Sequence, residues 1–385
     1  MKVSVVPCRN YEEAEAVEAL RKVLAPLGGL DWVKEGMTVA VKANLVTFMK
    51  PEKAATTHPV LLCALIKLLK EKGARVVVGD SPGGLYTKAF VERVYSVTGL
   101  KAVEDAGGEL NRNFDVASAE YPEGKEAKTF TYTAWLDEAD AIINFCKLKT
   151  HGMMAMSGAA KNMFGTVPGT AKPEYHYRYP TPERFSDMIL DLDEYFAPIL
   201  SITDGIVGME GNGPTAGTPR PIGLLIASDS PHAADLVGAS VIGLSGKDVP
   251  TLQAAIPRGL IPETPEELDV IGDWRPFIQP DYKRVETVHS LHFNKDAHTF
   301  FGKFSSVIFD KALASRPVLK KDECVGCKEC FKICPAKAIE MKKGKPVIHR
   351  KDCIRCFCCQ EFCPKGALKV KRTLLARILV HEKKK

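Results

Sequence analysis

Between Asp140 and Gly165 the chain reads "DAIINFCKLKTHGMMAMSGAAKNMFG". The run Asp140–Leu148 is apolar and rich in β-branched side chains, which predicts a buried strand. Lys147, Lys149 and His151 occupy alternate positions, so an extended chain carries all three on one side. A solvated strand edge would explain that alternation too. The adjoining "AMSGAAKNMFG", residues 155–165, is too small-sided for an ordinary surface helix, and Gly152, Ser157, Gly158 and Ala159 leave open space. They predict close approach of a ligand to the backbone, with Lys161 facing the strand from the following helix.

The same grammar extends on both sides. "VSVVPC", "MTVAVKANLV", "ARVVVGD", "PILSITDGIVG" and "PIGLLIAS" read as strands. "YEEAEAVEALRKVLAPL", "TTHPVLLCALIKLLKEKG", a segment near 86–106 and "PHAADLVGASVIGL" read as helices, the second with a threonine cap, an early proline and a glycine stop. Buried strands alternating with helices predict an α/β fold, a mostly parallel sheet with flanking helices. Ligands bind beyond the carboxyl ends of such strands. Four strand ends turn polar or glycine-rich: Lys42 and Asn44; Asp80 and Ser81 in "GDSPGG"; "KLKTHG"; and "TDGIVGMEGNGPTAGTP", with Asp204 and Glu210. In a parallel sheet these loops face one crevice. Alone, "GDSPGG" could be only a turn, and it lacks the G-x-G-x-x-G fingerprint. Lys42 is less ordinary, because strand interiors rarely bury lysine.

Further on, "CVGCKECFKICP" places Cys324, Cys327, Cys330 and Cys334 before a proline, and "CIRCFCCQEFCP" places Cys353, Cys356, Cys359 and Cys363 likewise. Both match the C-x2-C-x2-C-x3-C-P run of bacterial-type ferredoxins, in which three close thiolates hold one cluster and the fourth reaches the other. Cys324, Cys327, Cys330 and Cys363 are therefore assigned to one 4Fe–4S cluster, and Cys353, Cys356, Cys359 and Cys334 to a second. Cys358 falls out of register. "KDECVGC" and "KDCIRC", like "CPAKAIEM" and "CPKGALKV", repeat one unit twice. A disulfide scaffold fits poorly with a chain lacking a secretion signal, and zinc sites use ligand pairs at longer separation.

The chain has 385 residues, room for two or three domains. The reading divides it into an α/β domain over 1–315, with a connector at 273–315, a small α+β ferredoxin-like domain over 316–370, and a basic amphipathic tail over 371–385. No run approaches the roughly 18 apolar residues of a membrane span, and the acidic start lacks a secretory core, so a cytoplasmic, reducing setting is expected. From residue 317 onward 19 Lys and Arg face 7 Asp and Glu, a formal +12, leaving −6 for the rest of a chain whose net is +6. Two clusters, each about −2 when oxidised, offset part of that basic charge. The lysines are expected to solvate clusters and dock on the acidic body, which argues against nucleic acid as the partner.

"VKANLV", "GDSPGG", "KLKTHGMMAMSGAAKNMFGTVPGTAK" and "DGIVGMEGNGPTAGTPRPIGLLIAS" resemble the family called domain of unknown function 362, over roughly residues 1–260. Members are often fused to ferredoxin modules, as the cysteine runs imply here. The resemblance makes Lys42, Asn44, Asp80, Lys147, Lys149, His151, Lys161 and Asn162 site candidates. It names no reaction.

Other features read more plainly. Cys146 is expected to be a buried strand cysteine, and Cys8 and Cys63 to be inert. His289, His292 and His298 read as packing in an aromatic connector in preference to a metal site, and the tail's Leu374, Leu375, Ile378 and Leu379 as a face docked on the protein in preference to a membrane surface. Two functions fit. One is an oxidoreductase that passes electrons from a redox partner through two 4Fe–4S clusters to a small anionic or conjugated molecule. Lys147, Lys149 and His151 would then be catalytic, and Lys42, Asn44, Asp80, Ser81, Lys161, Asn162, Asp204 and Glu210 would bind the ligand. The other is a non-catalytic electron carrier, or a cluster or cofactor delivery protein, whose body binds a partner.

Overall fold

The computed structural model describes residues 1–285 and 315–371. The expected strands form as β1 (Lys2–Pro7), β2 (Thr38–Lys42), β3 (Arg75–Gly79), β7 (Ala141–His151), β9 (Leu200–Glu210) and β10 (Thr218–Ser228). They join β4 (Glu109–Leu110), β8 (Ala155–Ser157) and β11 (Asp269–Ile271) in one mixed sheet. Its order is β11-β1-β10-β9-β7-β2-β3-β4, with β8 folded back on the end of β7. The pairs β9/β7, β7/β2, β2/β3 and β3/β4 are parallel, whereas β10 runs antiparallel to both β1 and β9. β5 (Val116–Glu120) and β6 (Thr129–Thr133) form a separate hairpin that the sequence pattern does not announce.

Alternation along β7 sorts its side chains onto two faces. Ile143 and Phe145 pack with residues of the helices Glu13–Leu24, Pro59–Glu71 and Lys88–Thr98. Cys146 and Leu148 pack on the other side with the helix Pro231–Val241. Burying each large apolar side chain contributes about 1.5–3 kcal/mol, so helices cover both faces of the strand. The helix Pro59–Glu71 is capped by His58, whose ring accepts the Val60 N–H, and not by threonine. Thr57 is engaged elsewhere: its hydroxyl accepts the Asn44 N–H and donates to the Phe145 carbonyl, tying the β2 loop to β7.

The cysteine-rich part is small. β12 (Arg316–Leu319) pairs with β15 (Leu368–Lys371), and β13 (Ile339–Lys342) with β14 (Lys345–Ile348), all antiparallel. Two one-turn helices, Glu329–Lys332 and Cys358–Glu361, each follow a residue in the left-handed region, Lys328 at φ 67° and Phe357 at φ 61°. The module lies against the body. Phe357 and Val370 enter a core with Met153, Met154, Phe164 and Tyr175. The Gln360 side chain donates to the carbonyls of Asn212 and Gly213, and the Thr215 hydroxyl to that of Glu361.

These contacts correct the reading of the small residues after β7. A Cβ on Gly152 would sit 3.1 Å from Gln360 Oε1, and one on Gly158 only 2.0 Å from Asp235 Oδ1. Asp235 caps the helix Ala159–Asn162 by accepting the Ala159 and Ala160 N–H groups. The space beside Gly152 and Gly158 therefore admits protein, not ligand. Charge plays a smaller part in docking than expected: among the described residues no Lys or Arg of the module pairs with an acid of the body. The histidines of the connector and the apolar residues of the tail lie outside the described residues.

Candidate functional site

β2 and β3 end side by side, Lys42 opposite Gly79, next to Asn144 of β7, which pairs in parallel with Ser201 of β9; β7 and β9 then run on to His151 and Glu210. The loops beyond β2, β3 and β7 converge, whereas the fourth polar strand end, that of β9, brings only Pro214 to them. They line a cavity of about 80 Å³ with Asn44, Asp80, Ser81, Lys149, His151, Ser157, Lys161 and Asn162. Its far wall belongs to the cysteine module: Cys358, Glu361 and Phe362.

A buried polar network forms the floor. Lys42 Nζ lies 2.8 Å from Asp80 Oδ1 and donates to the Ala43 carbonyl and to Asn162 Oδ1. Asp80 Oδ2 accepts the Leu45 N–H, so both oxygens are used. Asn162 passes the network to Asn144 and Asn44. Asn44 Oδ1 in turn accepts from Lys149 Nζ at 2.6 Å, and the Ala55 carbonyl accepts from the same ammonium at 2.5 Å. An ammonium has three donors, so one N–H of Lys149 remains for the cavity. Burial, with Lys161 adding to it, lowers the Lys149 pKa to about 7. Gly165 is required here by close approach: a Cβ would fall 2.2 Å from Asp80 Oδ1.

The upper wall is also cationic. Lys161 reaches over the rings of Phe164 and Phe185 at 4.9 and 5.9 Å. It has no hydrogen-bond partner among the described residues, and burial lowers its pKa. Lys172 donates to the carbonyls of Ser81 and Val167, and burial brings its pKa to about 7. His176 stacks on Phe185 at 4.3 Å, is pushed by burial to about 3 and is neutral, and its Nδ1 has no partner among the described residues. His151 Nδ1 accepts the N–H groups of Met153 and Met154, so its proton sits on Nε2, which faces Glu361 Oε1 at 2.5 Å. Burial raises the Glu361 pKa, but His151 and Lys161 overcome this and hold it at about 2.

Three candidates fall elsewhere. Lys147 Nζ is 2.6 Å from Asp204 and also donates to the Tyr11 hydroxyl, while Asp204 accepts the His58 N–H. Lys147 does share the side of Lys149, but two residues of strand separate them by about 6.6 Å, enough to take Lys147 and Asp204 off the cavity. Glu210 pairs with Lys283 at the far end of β9. Cys146 is a buried strand cysteine, 3.2 Å from the Thr203 hydroxyl. Conversely, Lys172, His176, Glu361 and Phe362 line the cavity without having stood out in the sequence, as does Cys358, noted there only as out of register with the cluster ligands. Lys172 lies within "GTVPGTAK" and could have been singled out as a lysine in a small-residue loop.

The cysteines gather as the spacing predicts. Cys324, Cys327, Cys330 and Cys363 surround one small void, and Cys334, Cys353, Cys356 and Cys359 another. Each quartet draws on both runs and borders one void, a four-cysteine donor set of the kind that holds an iron–sulfur cluster, although among the described residues no three metal-binding side chains close in on a single ion.

Fold and thiol quartets together define an iron–sulfur protein whose module is built onto the strand-end loops of an α/β sheet. Residues 316–364 match the 4Fe-4S dicluster domain, and residues 39–240 match the domain of unknown function DUF362. The chain belongs to the DUF362 family. It is 32% identical over 299 residues to "Thylakoid-associated protein sll1697" of Synechocystis sp., a match covering 76% of this chain and 90% of that protein. Among solved structures, the lactate racemase apoprotein of Thermoanaerobacterium thermosaccharolyticum aligns with a TM-score of 0.39 and 12% identity, over 63% of this chain and 57% of that one. Among the described residues no helix is long and apolar enough to cross a membrane.

Proposed function

We propose that the chain is a cytoplasmic oxidoreductase that reduces a small anionic, conjugated molecule in the cavity between the sheet and the cysteine module. The observation that carries this reading is the shared wall: Cys358, Glu361 and Phe362, interleaved with cluster cysteines, line the same cavity as Lys149, His151, Lys161 and Lys172. A bare carrier has no need to enclose a cationic cavity against its redox module.

Size bounds the substrate. One water needs about 10–15 Å³ on this measure, so 80 Å³ holds a molecule of only a few non-hydrogen atoms. Three lysines against Glu361 and the Lys42–Asp80 pair favour a negative charge, and Phe164 and Phe362 offer flat apolar contact. Two 4Fe–4S clusters, when bound by the two quartets, supply one electron each. Reduction of a double bond also takes two protons. Lys149, whose third N–H is free for the cavity and whose pKa lies near neutrality, donates one; solvent at the cavity mouth provides the other. His151 acts through Glu361: its Nδ1 is occupied by two N–H donors and its Nε2–H faces the Glu361 carboxylate, which it holds away from an incoming anion.

The test is anaerobic. Protein with reduced clusters is mixed with small unsaturated carboxylates and cluster reoxidation is followed by absorbance. Reoxidation by at least one of them, lost in Lys149→Ala/His151→Ala with normal iron content, is the expected result. Reoxidation that survives the double substitution would place the chemistry elsewhere.

A further inference from the structure

The two cysteine runs build the same backbone twice but face different surroundings. In the second run Cys356, Phe357, Cys358, Cys359 and Gln360 are all buried, Phe357 and Gln360 against the body. The matching residues of the first are Cys327, Lys328, Glu329, Cys330 and Phe331, and only Cys330 is buried. Val325 is 61% exposed and Phe331 48%, large apolar side chains on either side of the exposed thiol Cys327. The turn of the β13–β14 hairpin adjoins this tip: a Cβ on Gly326 would lie 2.7 Å from the Gly344 carbonyl, and Lys345 Nζ donates to the Cys324 carbonyl. Lys321, Lys328 and Lys343 stand exposed around it, and none of them is ion-paired among the described residues. Glu329 and Glu323 are neutralised by Lys332 and Lys369, which leaves Asp322, exposed beside Lys321 and without an ion pair among the described residues, against three free lysines.

An apolar centre with a charged rim is the anatomy of a transient docking surface. Its rim is cationic, and it surrounds the quartet of Cys324, Cys327, Cys330 and Cys363, the outer one because its run is the exposed one. We infer that Val325 and Phe331, ringed by Lys321, Lys328 and Lys343, form the electron-entry dock for a small acidic one-electron carrier protein. The carrier is oxidised by one electron and the outer cluster is reduced by one. The inference rests on the electron-transfer reading above, and the experiment separates the two.

Full-length protein with reconstituted clusters is mixed in stopped flow with a reduced, strongly acidic two-iron ferredoxin, and separately with dithionite. For the unaltered chain, carrier-driven reduction should be fast and fall with added salt, as steered encounters do. Phe331→Glu/Lys328→Glu and, outside the cysteine runs, Lys343→Glu should each slow it, the double variant at least about tenfold, while dithionite reduces all forms equally. Carrier rates unchanged in both variants overturn the dock. So does slowing confined to Arg350→Glu/Arg355→Glu, which would move it to the second basic groove, lined by Arg316, Arg350, Lys351 and Arg355. Loss of binding to anionic lipid vesicles with carrier rates intact would make the tip a membrane contact and overturn the proposal as well. If Phe331→Glu/Lys328→Glu also slows dithionite, Lys343→Glu alone decides: a slower carrier rate with normal dithionite reduction supports the dock, and an unchanged carrier rate overturns it. Clusters that dithionite cannot reduce in the unaltered chain would instead sink the electron-transfer reading.

Discussion

The two halves of the cysteine module differ in what their repeated backbone is given to touch. Lys328 and Phe357 hold the same left-handed position, yet one is in solvent and the other in the core with Met153 and Met154. Lys332 pairs with its neighbour Glu329, whereas the matching Glu361 reaches His151 of the sheet. Ligand spacing fixes the backbone in both halves, so the residues between cysteines are left to specify the surroundings. In the first half they suit water and an outside partner; in the second they form the wall of a cavity.

The strongest break in that symmetry comes from the crossing cysteines. Cys334 lies in the outer run but lines the inner void, and Cys363 does the reverse. Cys334→Ser should therefore remove the inner cluster, taking iron from about eight to about four atoms per chain, and should abolish substrate-dependent reoxidation. Cys363→Ser should cost the same iron but mainly impair reduction by the carrier. Iron analysis with spectroscopy of the remaining cluster checks both. Equal loss of both clusters in either variant would mean the module does not fold around one quartet alone.

Next in size is the cavity itself. A hydrogen bond to a charged group contributes about 1.5–3 kcal/mol, so Lys149→Ala/His151→Ala should weaken binding of an inhibitory small anion by at least about a hundredfold. Calorimetric titration of the oxidised protein measures this without turnover. The iron content should not change, because neither residue lines a thiol void.

The cysteine assignment and the crevice were legible because both depend on short-range pattern. Three ligands of each cluster must fall within one loop's reach, and strand ends announce themselves where apolar runs stop at Lys42 and Asp80. The rest of the site arrives by tertiary docking. Glu361 and Cys358 face the cavity only because Phe357 and Gln360 are pressed onto the body, and no local period encodes that. A signal was still present in the repeat: Phe, Cys and Gln stand where the first run has Lys, Glu and Phe. The glycines misled for a related reason, since a Cβ-free position admits a neighbouring side chain such as Asp235 as readily as a ligand.

A smaller effect separates the lysines of the cavity from those at the tip. Lys149 and Lys172 titrate near pH 7, with Lys161, Lys42, Lys147, Asp80 and Glu361 contributing charge around them, whereas burial keeps the facing rings of His151 and His176 neutral. Above that pH they lose charge, so anion affinity should fall by up to about tenfold per unit for each proton that binding requires. The stability of the free protein should move the other way. Folded pKa values near 7 against an ordinary 10.5 mean that the unfolded chain binds more protons throughout that window. These two groups therefore make the ligand-free protein more stable as pH rises from about 7 toward 10.5. Comparing thermal unfolding of the unaltered chain with Lys149→Met/Lys172→Met should show a slope that the variant lacks. A slope of the same size in both would mean these lysines are fully charged in the fold.

The smallest change is expected where the two runs differ by one thiol. Cys358 matches Glu329 in the first run, a position one residue before the third ligand of each quartet. It lines the cavity and is absent from both thiol voids, while its neighbours Cys356 and Cys359 line the inner one. A one-turn helix turns successive side chains by about 100°, so Cys358 and Cys359 cannot both face the same cluster. Cys358→Ser keeps the shape and should leave iron content and the cluster spectrum unchanged, with anion affinity altered by no more than a few-fold, the scale of one weak hydrogen bond. The same substitution at Cys359 should remove the inner cluster. If Cys358→Ser loses iron and Cys359→Ser does not, the register of the second run is shifted by one residue. The wall of the cavity would then carry a cluster ligand, and electrons would enter the site through the side chain at 358.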